Sequence, residues 1–248
     1  MGRVTPLLTR RVGAFVALAA SLGVYYAAHG RLDSIPERWE LAFLAACLIP
    51  AVFSLVYLVL PLRRAEGLFL VAVALLVLTV MLDVAGFDGL ANFSKLALMT
   101  AFGFWFLSYF ESVLWVALVA LIIPVVDSLS VWRGPTRHIV DEQPEIFDTL
   151  SFAFPAPGGA SSANLGLPDL LFFALFLAAA ARWELRVPWT WVALTASLGL
   201  TMISAVALDT AGLPALPGLA FGFLIPNGDL LWREFRRWRA SRAAPARQ

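Results

Sequence analysis

Six carboxylates of this 248-residue chain stand in or beside apolar stretches, and two of them have the spacing to act together. Asp83, Asp127, Asp169 and Asp229 lie within apolar windows, while Asp209 and Glu111 lie at window ends. An ionised carboxylate in hydrocarbon costs about 2.5–3.5 kcal/mol on insertion scales, so an acid kept there is a functional candidate by default. Asp127 belongs to Ile122 to Thr136, IIPVVDSLSVWRGPT, five residues before Trp132; Asp169 belongs to Leu165 to Phe173, LGLPDLLFF, three residues after Gly166. At 1.5 Å per residue each lies roughly 5–8 Å in from its end of an apolar run, and one connecting segment joins those two ends. Consecutive antiparallel helices would thus carry one aspartate each at similar depth. Two carboxylates a few ångströms apart cannot both ionise easily; they titrate as a unit and supply an acid and a base that can activate water against a peptide carbonyl.

Plainer roles compete for each of these acids. Asp229, followed by Trp232 and Arg233, reads as an interfacial ion pair, and Asp83 and Asp209 read equally well as caps or interfacial groups. Pro168 followed by Asp169 is also what an ordinary helix N-terminus looks like, since proline fits the first turn and the helix dipole favours an anion there. No cap role is open to Asp127, which lies well inside its run and away from a helix start. Pro124, three residues earlier, is tolerated in membrane helices and loosens the backbone bonding nearby.

The elements that must position these groups follow from hydropathy. The chain is 60% hydrophobic and 14% charged, with a mean hydropathy of +0.82, which places it in a bilayer rather than in water. Apolar windows fall at 12–29, 41–62, 67–86, 90–110, 112–132, 166–182, 189–208 and 213–232. Each is close to the ~20 residues needed to cross a hydrocarbon core, so eight transmembrane helices are expected. The polar break at Tyr109 to Ser112 separates the fourth from the fifth. The expected division is residues 1–132 for the helices up to the first aspartate, an extramembrane loop at 133–165, residues 166–232 for the remaining helices, and a basic tail at 233–248 that frays or lies on the lipid surface. Within the loop, TLSFAFPAP at 149–157 alternates Leu150, Phe152 and Phe154; it reads equally as an edge strand and as a hydrophobic loop resting on the bilayer.

Counting Lys and Arg on the two sides of an eight-span chain gives 13 against 5, which puts both termini in the cytoplasm and the 133–165 loop outside. The net charge of +1 leaves no nucleic-acid footprint, and the single Cys47 with only His29 and His138 gives no disulfide and no metal cluster. No metal or cofactor is expected, and the partners expected are membrane lipid and other transmembrane segments. The eighteen-residue apolar run after Arg10 and Arg11 exceeds a usual signal-peptide core and reads as a retained helix.

Three motifs together carry a resemblance. VVDSLSVWRGPTRHIVDE resembles the sixth transmembrane helix of presenilins and its exit, where Tyr-Asp is followed by an apolar turn, Gly-Pro-Leu-Arg and an acidic segment. LGLPDLLFF resembles the Gly-x-Gly-Asp motif that opens the next helix in presenilins and signal peptide peptidases, and LPALPG contains the Pro-Ala-Leu signature of the same families at Pro214, Ala215 and Leu216. The similarity covers roughly the second half of the chain. It departs from the family at Pro168, in place of the second Gly, at Val126, in place of Tyr, and in lacking one N-terminal helix of the usual nine.

The resemblance implies an all-α, presenilin-like bundle and an intramembrane aspartyl protease that cleaves transmembrane or signal-peptide-like helices. Asp127 and Asp169 would be its catalytic pair, and Gly166, Leu167, Pro168, Pro214, Ala215 and Leu216 would contact substrate, with Gly166 letting its backbone approach. Independently of the family, residue 214 begins a helix on the same side of the membrane as the 133–165 loop, so the three motifs can meet. Two other readings stay open: paired aspartates in a transporter or proton pathway, and a helix-binding homologue without activity. Against the transporter, the two halves show no repeated hydropathy pattern.

Overall fold

The structure, a computed structural model, describes residues 4–133, 149–159, 162–208 and 213–243. In chain order its elements are α1 (Val4–Ala28), α2 (Glu37–Arg64), α3 (Leu68–Val84), α4 (Asp88–Phe106), α5 (Val113–Arg133), a hairpin of β1 (Ser151–Pro155) and β2 (Ser162–Gly166), then α6 (Leu167–Arg182), α7 (Val187–Ala207) and α8 (Leu216–Ala243). Helices therefore occupy the apolar windows, and the chain breaks between α4 and α5 where Tyr109 to Ser112 interrupt the pattern. Among the described residues five helices are long and apolar enough to cross a membrane: α1, α2, α4, α5 and α7; α3 is apolar but shorter. Their outward faces carry large apolar side chains, as on α3, where Leu70, Val73, Val77, Val80, Met81 and Val84 are all exposed. That outside is suited to hydrocarbon, which demands only that the backbone bonds be closed within each helix.

The centre of the bundle is α6. Every side chain from Phe173 through Ala180 is fully buried, so this helix is covered all round for two turns. Phe53 of α2 meets Phe173 with ring centroids 4.1 Å apart, and Phe223 of α8 stacks on Phe176 at 5.0 Å. Alanines 178–180 and Gly103 of α4 let neighbouring backbones come close, the means by which helices associate where no hydrophobic force drives them together. α5 sits further out and packs chiefly on α8, touching α6 at few positions. In α2 the residues Leu44–Leu48 form a π-helical turn just ahead of Pro50, whose missing N–H breaks the regular ladder. The widened turn accepts Gly199 of α7, where an added Cβ would stand 3.2 Å from the Ala45 carbonyl oxygen.

Arginines close the helix ends at one end of the bundle. Arg63 donates to the Ala181 carbonyl at 3.1 Å and Arg182 to the Leu107 carbonyl at 2.7 Å, each satisfying a terminal acceptor. Asp229 is ion-paired there with Arg186 and Arg233, at 2.7 and 3.0 Å, as its neighbours led one to expect. Beside them the fully buried Asn227 accepts the Arg186 N–H at 3.0 Å and donates to Thr190 Oγ1 and the Phe223 carbonyl, both at 2.8 Å. Asn227→Leu keeps the volume but strands the Arg186 N–H and takes a donor from the Thr190 hydroxyl, which keeps its bond to the Arg186 carbonyl. It is expected to cost about 1–3 kcal/mol, visible as a lower melting temperature in detergent; an unchanged one would show that the network carries no stability.

The bundle is not purely α-helical. β1 and β2 pair antiparallel, Ser151 opposite Gly166 and Pro155 opposite Ser162, and the ladder runs on into α6 through the Leu167 N–H to the Leu150 carbonyl at 3.1 Å. Phe152, against Tyr26 and Phe93, and Phe154, against Phe152, are fully buried, so this part of the 133–165 segment belongs to the core rather than to a loop on the bilayer. The tail is also more regular than expected: α8 runs through Ala243 as one helix, with Trp232, Phe235 and Trp238 stacked along it.

Candidate active site

Asp127 lies one and a half turns before the end of α5, half-buried. Pro124 precedes it by three residues and leaves the Ala120 carbonyl without its helical donor. The Asp127 carboxylate reaches across to the start of α8, where Oδ2 accepts the Leu216 N–H at 3.0 Å. Leu216 is the first residue of that helix, and first-turn N–H groups have no partner within their own helix. The positive end of a helix therefore holds the carboxylate, and a residue 89 positions away orients it. Of the Pro-Ala-Leu residues, Ala215 and Leu216 are buried and Pro214 is half-buried in the irregular stretch before them.

Asp169 is the third residue of α6, half-buried, with Gly166 as the N-cap. The Gly166 backbone bonds the Asp169 carboxylate, which folds back over it as the acid of a capping box does. An added Cβ on Gly166 would stand 3.3 Å from Asp169 Oδ2 and 3.5 Å from Pro168 Cδ. A side chain at 166 would thus crowd the carboxylate of its own helix's acid, which would have to shift by a few tenths of an ångström. Pro168 occupies the second helical position, where a missing N–H removes no helical bond. The proline that departs from the Gly-x-Gly-Asp pattern is therefore compatible with the local backbone. Its ring is exposed, while Leu167 beside it is half-buried.

The two carboxyl groups are close enough for their charges to interact. Asp127, bonded to the N-terminus of α8, and Asp169, at the start of α6, thus both stand at the end of the bundle that carries the hairpin. Asp229 lies thirteen residues further along α8, about 20 Å away, in its ion pairs. Asp209, the Gly134-Pro135 exit, and the acids Asp141, Glu142, Glu145 and Asp148 fall outside the described residues. Among the described residues no cluster of His, Cys, Asp and Glu is arranged to hold a metal ion.

Four residues near the site were not singled out by their sequence. Asn92 and Lys95 of α4, each 6% exposed, and Tyr25 and Tyr26 at the end of α1 all hydrogen-bond the backbone of β1. A signal existed: a lysine inside an apolar window is as costly as the aspartates, and an asparagine three residues away on the same helix face also calls for a buried partner.

The arrangement defines a class by its chemistry: a mostly helical bundle, five of whose described helices are long and apolar enough to cross a membrane, with one carboxylate held by a helix N-terminus and a second within electrostatic range of it. Compared with protein families and with curated proteins, the chain matches no family model and none of those proteins.

The Leu216 N–H is the most direct lever on this geometry. Leu216→Pro removes the donor at a helix position that tolerates proline. Loss of a hydrogen bond to a charged group, about 1.5–3 kcal/mol, is expected to lower any turnover at this site roughly 10- to 100-fold. Steady-state rates alongside a melting curve check this, and full activity in a folded Leu216→Pro would mean that the bond is idle.

Proposed function

We propose that this protein is an intramembrane aspartyl protease that hydrolyses peptide bonds in transmembrane or signal-peptide-like helices. One observation carries the reading: Asp127, bonded to the N-terminus of α8, and Asp169, 42 residues on and at the start of α6, lie within electrostatic range of each other. Water held between the carboxyl groups would attack the scissile carbonyl carbon, its proton passing to one carboxylate while the other carboxyl protonates the carbonyl oxygen. Collapse of the tetrahedral intermediate then returns a proton to the leaving nitrogen. The helix N-terminus holds Asp127 in place for this exchange, and the capping turn at Gly166 holds Asp169.

A helical substrate must give up some of its own hydrogen bonds before water can reach a peptide group, and the extended segment then needs backbone partners. The hairpin that leads directly into Asp169 offers them. In this reading all eight helices cross the bilayer, both termini are cytoplasmic, and the site opens toward the outer side. The similarity to presenilins and signal peptide peptidases in the three motifs agrees with the same assignment. The direct test is to incubate the purified protein with a panel of single-span peptides in lipid nanodiscs and identify products by mass spectrometry. Specific cleavage is expected; none from any peptide across pH 4 to 8 would overturn the reading.

A further inference from the structure

We propose that the seam between α7 and α8 binds one anionic phospholipid of the surrounding bilayer, its acyl chain in an apolar groove and its phosphate on arginines of α8. The site lies at the end of the bundle away from the two aspartates, and the inference does not depend on the proteolytic reading.

The seam is pinned at two places. At Gly222 an added Cβ would stand 3.0 Å from the Leu194 nitrogen and 3.1 Å from the Ala193 carbonyl oxygen, so the two backbones touch there. At the start of α7, Arg186 donates to the Pro226 carbonyl at 2.6 Å and to Asp229 at 2.7 Å. Residue 193 thus lies against 222 and residue 186 against 226, which makes the two helices antiparallel. Along the seam runs an open groove of about 410 Å³, lined by Trp189, Val192, Ala193, Ile225 and Pro226, with Arg186 at its polar end. Trp189, Val192 and Ile225 are all exposed. A soluble partner would have to reach them through hydrocarbon, because α7 is long and apolar enough to cross a membrane. An acyl chain is already there.

The α8 wall of the groove continues into a basic stripe. At 3.6 residues per turn, Phe221, Ile225, Trp232, Arg236 and Arg239 fall on one face of α8, and Arg233 borders it. That face reads apolar, then aromatic, then basic, the order in which a phospholipid presents its chain, its ester region and its phosphate. Tryptophan favours the middle level, where one end is apolar and the other wet.

Charge decides which headgroup fits. Asp229, the acid on this face, is shared by Arg186 and Arg233 at 2.7 and 3.0 Å, so two guanidinium groups cover one carboxylate and one positive charge is left over. Glu234 points to another side of α8, where it pairs with Arg237 at 3.6 Å. Arg236 and Arg239 are exposed and make no hydrogen bond or ion pair among the described residues. Arg233 and Arg236, three residues apart, are neighbours on the helix surface and can share one phosphate through bidentate bonds. Arg239, a turn further on, adds attraction for a headgroup with net negative charge.

Native mass spectrometry tests the proposal. The full-length protein in non-ionic detergent is titrated with phosphatidylglycerol or with phosphatidylcholine, and the affinity for the first lipid is read. Phosphatidylglycerol is expected to bind about tenfold more tightly, the preference that one to two surface charges provide. Arg236→Gln with Arg239→Gln disturbs no contact of the fold and should bring phosphatidylglycerol down to the level of phosphatidylcholine. Arg237→Gln with Arg242→Gln removes the same charge from other sides of α8 and should change the preference less than twofold. Val192→Trp, which fills the groove, should weaken both lipids about tenfold, the loss of two or three buried methylenes. Ile225→Asn, at an exposed position, carries the groove test by the same weakening if Val192→Trp fails to fold. Equal binding of the two lipids to the unmodified protein, equal losses in the two arginine pairs, or affinities unmoved by the groove variants overturns the proposal.

Discussion

Asp127→Asn and Asp169→Asn are each expected to abolish cleavage of transmembrane peptides, by at least about 10³-fold, while leaving the protein folded. Asparagine matches aspartate in size and keeps an oxygen, so the amide introduced at position 127 can still accept the Leu216 N–H, and the one at position 169 can still fold back over Gly166. What each variant lacks is a group that can exchange a proton with water and with the scissile carbonyl. General acid or base action alone contributes about 10²–10⁴-fold, and removing one member of a pair that works as a unit costs about as much as removing both. The double variant should therefore be no slower than either single one. Product analysis with the peptide panel reads the rates, and a melting curve in detergent checks that the bundle survives. Cleavage persisting at the original rate in both single variants would remove the two aspartates from the mechanism.

A steric change distant from the chemistry should be nearly as damaging. Gly103 of α4 packs on α6 so closely that an added Cβ would stand 2.9 Å from the Leu171 carbonyl oxygen, 3.1 Å from Ala174 Cβ and 3.3 Å from the Leu175 nitrogen. Two of those atoms are backbone, which cannot rotate away, so even Gly103→Ala must push the two helices apart. The expected cost is about 1–3 kcal/mol, the range for overpacking a close-packed site. α6 moves as a rod, and Leu171 is two residues from Asp169, so the displacement reaches the site; a shift near 1 Å can cost roughly 100-fold in rate. Gly103→Leu is expected to yield little folded protein. Gly89→Ala, in the same helix but with open space around it, is the control and should leave melting temperature and turnover unchanged. A Gly103→Ala variant that melts and works like the parent would refute the close approach of α4 and α6.

The helical framework was legible because its cause is local. Covering a hydrocarbon core of ~30 Å needs about 20 apolar residues in a row, and such runs announce themselves whatever packs beside them. The interruption at Tyr109 to Ser112, the ion pair at Asp229 and the candidacy of Asp127 could be read in the same way, since a carboxylate in an apolar run is conspicuous without its partners. Asp169 was less clear, and the structure shows why: it bonds back to Gly166 as an ordinary helix N-terminus would and also lies within electrostatic range of Asp127, so the plain reading and the paired one are compatible in the same side chain.

The hairpin and its clamps were decided by tertiary structure. Residues 149–157 showed a period-two pattern, but a five-residue strand has too few local bonds to declare itself. It is held by Asn92 and Lys95, some sixty positions away, and by Tyr25 and Tyr26, nearly 130 positions away. Pro168 is a similar case: as a letter it only departs from the family's glycine, and its second place in α6 shows that the lost N–H had no helical partner to lose. The sequence by itself determined that the chain folds into helices, several of them long and apolar enough to cross a membrane, with an acid in each of two apolar runs, because hydropathy and the cost of a buried charge are properties of short segments. Only the tertiary structure decided that Asp127 is held by the Leu216 N–H, that Asp169 stands within reach of its charge, and that side chains of α1 and α4 clamp the hairpin, because each of these depends on which distant segments share a neighbourhood.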